Sequence, residues 1–137
     1  VEVVPGVSSA VAVPAAAGIP VTHRGVTSSV VVLSGHEGAD ATTALTAAPS
    51  DATIVLLMGV ATIAATVAQV LAAGRAPDTP VAFVESGWTP QQRTTVTTLE
   101  KAVWVAEHEG VRAPAVVVIG AVVGLRDRLG DLVGVRV

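Results

Sequence analysis

The chain has 137 residues, of which 51% are hydrophobic, 2% aromatic and 14% charged, and 53 of them are either Val (29) or Ala (24). Disordered chains are rich in charge and poor in β-branched residues, so this composition excludes disorder. The absence of cysteine excludes a disulfide scaffold, thiol catalysis and thiolate metal sites. A net charge of −3 with few aromatic residues disfavours a nucleic-acid-binding platform.

The first half of the chain alternates β-branched blocks with Ala-rich blocks. Ser8 and Ser9 stand where an N-cap would start a helix, and Pro14 keeps that helix short or kinked. The pattern predicts, in order, a strand at 1–4, a helix to about residue 17, a strand at 26–33, a helix at 40–48, a strand at 53–58 and a helix at 62–73.

The second half continues this alternation and determines the fold class. It predicts strands at 80–85, 93–98 and 115–119, with a helix at 99–108 and a last helix at 122–129. The Thr–Val alternation of 93–98 is typical of an edge strand, which suggests one antiparallel member. We therefore expect an α/β fold with a mixed, mostly parallel sheet of about five to six strands and helices on both faces.

One uncharged stretch, residues 52–74, is long enough to span a bilayer. It contains four polar side chains and a Met58-Gly59 break, and this pattern favours a buried strand, a turn and a helix. Residues 1–13 contain no basic region of the kind that begins a signal peptide. We expect neither a membrane span nor a cleavable signal.

Glycines or small residues follow four of the predicted strands, at Gly6, Gly59, Gly87 and Gly120. Ligands of open α/β sheets lie beyond strand ends, and glycine lets a backbone approach a ligand closely. Ordinary turn formation explains the same glycines, and spacing alone favours that explanation.

Histidines stand alone at positions 23, 36 and 108, without the spacing of a metal site, so no metal is expected. The Thr22-His23-Arg24 triplet places three potential donors in one turn, either as a site or as a polar loop. The lone Met58 would by default be core filler. No residue pattern identifies a catalytic group in this chain.

Several blocks together resemble the uroporphyrinogen-III C-methyltransferases of the tetrapyrrole methylase family. The resemblance covers nearly the whole chain and is most specific in the GIPVTHR and VVGLRD runs. The matching blocks are VPGVSSA (4–10), AGIPVTHR (17–24), LMG (57–59), TPVA (79–82), ESG (85–87), TPQQR (89–93), APA (113–115) and VIGAVVGLRD (118–127).

The resemblance implies transfer of methyl groups from S-adenosylmethionine to ring carbons of uroporphyrinogen III, giving precorrin-2 for siroheme or cobalamin. By position, the donor contacts would be Ser8, Ser9, Met58, Gly87 and Ala115. The substrate carries eight carboxylates, so Thr22, His23 and Arg24 would be its contacts in this chain.

The resemblance also implies a cytoplasmic homodimer with two α/β domains and a donor cleft between them. Residues 1–5 would end the preceding domain or form a linker strand, and residues 6–137 would form the C-terminal subdomain. The N-terminal domain, with the acid/base candidates, would then be missing from this sequence.

Trp88 departs from the family pattern, in which many members carry Thr, and would alter the lip of the cleft.

Two alternative functions stay open. The chain could belong to another precorrin methyltransferase, or it could be a non-catalytic remnant that acts as a dimerisation or ligand-binding module.

Overall fold

A computed structural model of the chain describes residues 1–35 and 39–132, with backbone alone at 39–42. Helices and strands alternate along it. The helices are α1 (Ser9–Ala16), α2 (Ala39–Ala47), α3 (Ile63–Ala72), α4 (Ala102–His108) and α5 (Arg126–Leu129). The strands are β1 (Val30–Ser34), β2 (Thr53–Leu57), β3 (Pro80–Glu85), β4 (Arg93–Thr98) and β5 (Ala115–Ile119). Short 3₁₀ helices, Leu99–Lys101 and Ala121–Leu125, precede α4 and α5.

The five strands form one sheet in the order β1-β2-β5-β3-β4. β1 and β2 pair in parallel, whereas β5 is antiparallel to both of its neighbours, and β4 is antiparallel to β3. The expected α/β fold with a mixed sheet is confirmed. The expectation of mostly parallel pairing is wrong, because β5 inserts between β2 and β3 in the opposite direction.

Alternating side chains of the central strands build a core on each face of the sheet, as the pleat requires. On one face, Leu56, Phe83 and Val117 pack with side chains of α2, α3 and α4. On the other face, Val55 and Val118 join a cluster that includes residues of α1 and the 3₁₀ helix before α5. Helices on both faces are therefore confirmed, and the Val- and Ala-rich composition supplies the small side chains that this packing uses.

Two predicted strands differ from the structure. Residues 1–4 form no strand, since they pair with no other described strand, and their valines are exposed. The strand predicted at 26–33 begins only at Val30, because a turn closed by an isolated bridge between His23 and Thr27 occupies the preceding residues. The strands at 80–85, 93–98 and 115–119 have the predicted bounds.

Candidate functional site

One end of the sheet gathers the carboxyl ends of β1, β2 and β3 and the starts of β4 and β5. The register shows this directly, since Leu57 pairs with Val116 and Glu85 pairs with both Ala115 and Arg93. We call this the cleft end of the sheet.

A cleft of about 880 Å³ opens there. Its volume lies within the range of small-molecule sites, which are mostly apolar with a few polar groups. No described residue that lines it is charged. The lining residues are Ser9, Val13, Leu57, Met58, Val60, Ala61, Val84, Ser86, Gly87, Thr89, Gln91, Ala113, Pro114, Ala115 and Val116.

Four of the five predicted donor contacts line this single cleft, although they come from four separate segments. Ser9 is at the start of α1, Met58 and Gly87 follow β2 and β3, and Ala115 begins β5. Met58 is 57% exposed, so it is not the core filler that a lone methionine would be by default.

Ser8, the fifth predicted donor contact, has a different position. Its side-chain oxygen accepts a hydrogen bond from the Ala10 N–H at 3.2 Å and so caps α1. The predicted N-cap is confirmed, and Ser8 is not among the residues that line the cleft.

The backbone at the cleft end is strained. Met58, Ser86 and Trp88 have φ angles of 55°, 48° and 64°, and among the described residues they are the only ones other than glycine with positive φ. Each such conformation costs about 1–2 kcal/mol for a residue that has a Cβ atom. Strain of this kind collects at functional sites, where the surrounding structure must hold it.

Hydrogen bonds hold these strained segments in place. The Ser86 N–H donates to the carbonyl oxygen of Pro114 at 2.9 Å, and the Trp88 N–H donates to Oε1 of Gln92 at 2.9 Å. The indole N–H of Trp88 donates to the carbonyl oxygen of Ala12 in α1. The turn after β3 is thus fastened to both β5 and α1.

Gly87 lies where this turn approaches α1 most closely. A Cβ atom at position 87 would stand 2.6 Å from Cγ1 of Val13, which is closer than real side chains pack. Since Val13 and Gly87 both line the cleft, the absence of a side chain at 87 lets the two elements meet beside it.

Glu85 is buried beside the cleft and fully engaged. Its carboxylate accepts from Nε of Arg93 at 2.7 Å and from the backbone N–H of Arg112 at 2.9 Å. The hydrogen bond that Arg93 donates to the Glu85 carboxylate is the main cause that raises the pKa of Arg93 above its ordinary value. The pair fixes β3, β4 and the loop before β5 in one arrangement, and no described residue that lines the cleft is a carboxylate.

Thr22, His23 and Arg24 lie elsewhere, before the start of β1. All three are exposed and line an open depression of about 530 Å³ together with Asp51, which precedes β2. The cleft follows the opposite ends of β1 and β2. The structure therefore does not bring these predicted substrate contacts together with the predicted donor contacts.

The histidine at position 108 lies away from the residues that line the cleft. His108 stacks on Trp104 with ring centroids 4.6 Å apart on the outside of α4. His36 lies outside the described residues. Within residues 1–35 and 39–132, no three acidic or histidine side chains cluster as metal ligands would.

Sequence reasoning missed several lining residues, including Val13, Ser86, Thr89 and Gln91. Ser86, Thr89 and Gln91 belong to the matching ESG and TPQQR blocks, so the blocks themselves were a usable signal. Nothing in the sequence marks Val13, which enters the site through its packing against Gly87.

None of the helices in the described part of the chain is both long and apolar enough to cross a bilayer.

The chain is similar in sequence to known proteins over most of its length. The sequence profile of the Tetrapyrrole (Corrin/Porphyrin) Methylases matches residues 1–103. The S-adenosyl-L-methionine-dependent uroporphyrinogen III methyltransferase of Methanosarcina barkeri is 48% identical, with 95% of this chain and 52% of that protein aligned.

Two solved structures superpose on this chain. The uroporphyrin-III C-methyl transferase of Thermus thermophilus, complexed with S-adenyl homocysteine, superposes with a TM-score of 0.71 at 35% identity, covering 89% of this chain and 51% of that one. A cobalt precorrin-4 methyltransferase, a cobalamin biosynthetic enzyme, gives a TM-score of 0.78 at 27% identity, covering 89% and 52%. The chain spans about half the length of these relatives.

Proposed function

Because the chain belongs to the tetrapyrrole methylases, we propose that it forms the C-terminal half of an S-adenosylmethionine-dependent uroporphyrinogen-III C-methyltransferase. Two methylations would give precorrin-2, on the way to siroheme or cobalamin. The observation that carries the proposal is the convergence of Ser9, Met58, Gly87 and Ala115 on one cleft whose described lining is uncharged.

The cleft suits an adenosyl donor in size and in chemistry. Apolar side chains such as Leu57, Val84 and Val116 can cover a nucleoside and exclude water, while Ser9 and Gln91 offer hydrogen-bonding groups. When bound, S-adenosylmethionine supplies a methyl group that is already activated. The chain's own residues then have to provide alignment rather than activation.

Proton transfer would have to come from groups other than the described lining of the cleft. No described lining residue is titratable, and Glu85 is held by Arg93 and by the Arg112 N–H. We propose that an N-terminal domain supplies the acid/base groups and most contacts to the eight carboxylates of the substrate.

Thr22, His23 and Arg24 stay proposed substrate contacts. Their distance from the cleft along β1 and β2 means that they would meet substrate carboxylates only in an assembly with another domain or subunit. We propose a cytoplasmic homodimer as that assembly.

The decisive experiment uses the complete gene product with uroporphyrinogen III and a donor labelled in its methyl group. We expect a dimethylated product, and its absence would contradict the proposal. Met58→Ala should lower the reaction rate, whereas the control variant Arg75→Met should not, because Arg75 binds the Ala52 carbonyl at the other end of the sheet.

Calorimetry of this chain with S-adenosylhomocysteine gives a second test. We expect weak or no binding by this chain alone, because the proposed N-terminal domain would supply the other half of the cleft. Sub-micromolar affinity would contradict that division of the cleft. Lack of activity in a complete protein that still binds the ligand would instead favour a non-catalytic binding module.

The similarity to the cobalt precorrin-4 methyltransferase favours one alternative, a methyltransferase that acts on a later precorrin. The same labelled-donor assay with methylated precorrins separates the two. Faster turnover of a precorrin than of uroporphyrinogen III would select the alternative.

A further inference from the structure

The turn after β3 is joined to α1 by more than packing. The indole N–H of Trp88 donates to the Ala12 carbonyl, and Nε2 of Gln92 donates to the Ala16 carbonyl at 3.3 Å. Gly87 fits against Val13, which lies between Ala12 and Ala16 in α1. Because both elements line the cleft, their separation sets the width of the cleft at this point.

Gln92 connects the two elements through its whole amide group. Its Oε1 accepts from the Trp88 N–H at 2.9 Å, while its Nε2 donates to Ala16 and also to Oδ1 of Asp131 at 3.2 Å. Trp88 is one of the three strained residues, so Gln92 holds the backbone that would otherwise relax away from a positive φ.

Asp131 is itself held firmly. Both of its oxygens accept from Arg126, at 2.8 and 2.7 Å, and Arg126 also donates to the Ala17 carbonyl at 2.7 Å. The backbone N–H of Leu132 donates to the Ala16 carbonyl at 2.8 Å. The segment at 131–132 is thus anchored to the end of α1, and it presents a fixed acceptor to the Gln92 amide.

We propose that Gln92 is a positioning residue for the donor cleft, with Asp131 and Arg126 orienting its amide. It sets the distance between α1 and the turn that carries Ser86 and Gly87, and through that distance it sets the affinity for the donor. This inference rests on the proposed function only where it concerns the donor.

The first test measures the turn without any ligand. The chain has two tryptophans, so a ¹⁵N-tryptophan sample gives two indole signals, which Trp104→Phe assigns. Gln92→Met keeps the length of the side chain and removes its hydrogen bonds. We expect the Trp88 indole N–H to exchange about tenfold faster, while the Trp104 signal stays unchanged.

Arg75→Met is the matched control. Arg75 donates to the carbonyls of Ala52 and Pro49 at the other end of the sheet, so this variant also loses hydrogen bonds from a side chain to the backbone. It should lower stability without changing Trp88 exchange. Equal effects of the two variants on Trp88 would overturn the proposal, because Gln92 would then act only through global stability.

A rescue pair tests the role of Asp131. Gln92→Glu keeps the acceptor for the Trp88 N–H but places a carboxylate against Asp131, so it should speed Trp88 exchange. Adding Asp131→Asn supplies an amide donor opposite Glu at position 92, and exchange should return to within about threefold of the wild-type rate. A double variant no slower than the single one would count against the orienting role.

The donor is tested by calorimetric titration with S-adenosylhomocysteine to about millimolar concentration. Gln92→Met should weaken binding about tenfold and Arg75→Met should not. Unchanged affinity in Gln92→Met with faster Trp88 exchange would overturn the link to the cleft. If the wild-type chain alone does not bind, the same variants are titrated in the complete gene product. Absence of binding there would count against the proposed function, and the Trp88 exchange would still decide whether Gln92 positions the turn.

Discussion

The two ends of the sheet differ in which residues adopt positive φ angles. At the cleft end, positive φ angles fall on Met58, Ser86 and Trp88, which all have side chains. At the other end, in the turn before β1, the positive φ falls on Gly25, where it involves no clash. Backbone strain is therefore concentrated beside the cleft, and this is where we expect substitutions to affect ligand binding.

The largest expected effect comes from filling the space at position 87. In Gly87→Ala, the new methyl group would stand 2.6 Å from Cγ1 and 2.9 Å from Cγ2 of Val13, so the turn and α1 must move apart. Overpacking of this kind costs about 1–3 kcal/mol. We expect a lower free energy of unfolding by urea denaturation and at least about tenfold weaker S-adenosylhomocysteine binding.

Gly124→Ala is the matched control for this variant. A Cβ atom there meets no other atom within 4 Å, and its φ is not positive. We expect unaltered binding and no loss of stability, with a gain of up to about 1 kcal/mol because alanine restricts the unfolded chain. Comparable losses in both variants would mean that the close approach at Gly87 has no special role.

A smaller effect, with opposite signs at the two ends, is expected from serine-to-glycine changes. Ser86→Gly relieves a positive φ but adds freedom to the unfolded chain, so we expect a net gain of about 0.5 kcal/mol. Ser28→Gly, in the depression at the other end, removes no strain and should lose about 0.5–1 kcal/mol. Urea denaturation measures both, and equal signs would contradict the contrast between the ends.

The smallest effect concerns Asp131, whose pKa is held below its ordinary value mainly by hydrogen bonds from Arg126. The stability that the ionised Asp131 side chain contributes through these hydrogen bonds is complete above the unfolded-state pKa of about 4. It is lost as pH falls through the lower folded-state pKa. Asp131→Asn should therefore lower stability at neutral pH by less than about 1 kcal/mol, because the side chain is partly exposed to solvent.

Urea denaturation over a range of pH checks this prediction. The difference in the free energy of unfolding between wild type and Asp131→Asn should disappear well below pH of about 4. When Arg126 is also changed to Met, Asp131→Asn should make no difference to that free energy at any pH. A difference that persists in strong acid would assign the effect to something other than the ion pair.

Hydrophobic periodicity predicted the strands from Pro80 onward with their observed bounds, because each is a short apolar or alternating run between clear turn residues. It did not predict the direction of β5. Five consecutive apolar residues read the same in either direction, and long-range pairing alone decides that β5 lies antiparallel between β2 and β3.

The candidate site was predictable only where motifs marked it. The matching blocks led to Met58 and Gly87, whereas positive φ angles and the approach of Val13 to Gly87 are properties of the folded backbone. The Thr22–Arg24 triplet shows the opposite case. Its residues are informative in sequence, but the direction of β1 places them away from the cleft.

The order of strands also bears on how the chain acquires its fold during synthesis. β2 and β3 do not pair with each other, so the β1–β2 pair and the β3–β4 hairpin are joined within the sheet only by β5. As β5 is the last strand of the described chain, the two halves keep unpaired inner edges until residues 115–119 have left the ribosome. Non-local pairing of this kind slows folding, and exposed edges invite aggregation. A nascent chain paused before residue 115 is therefore the species in which we expect chaperone dependence to be greatest.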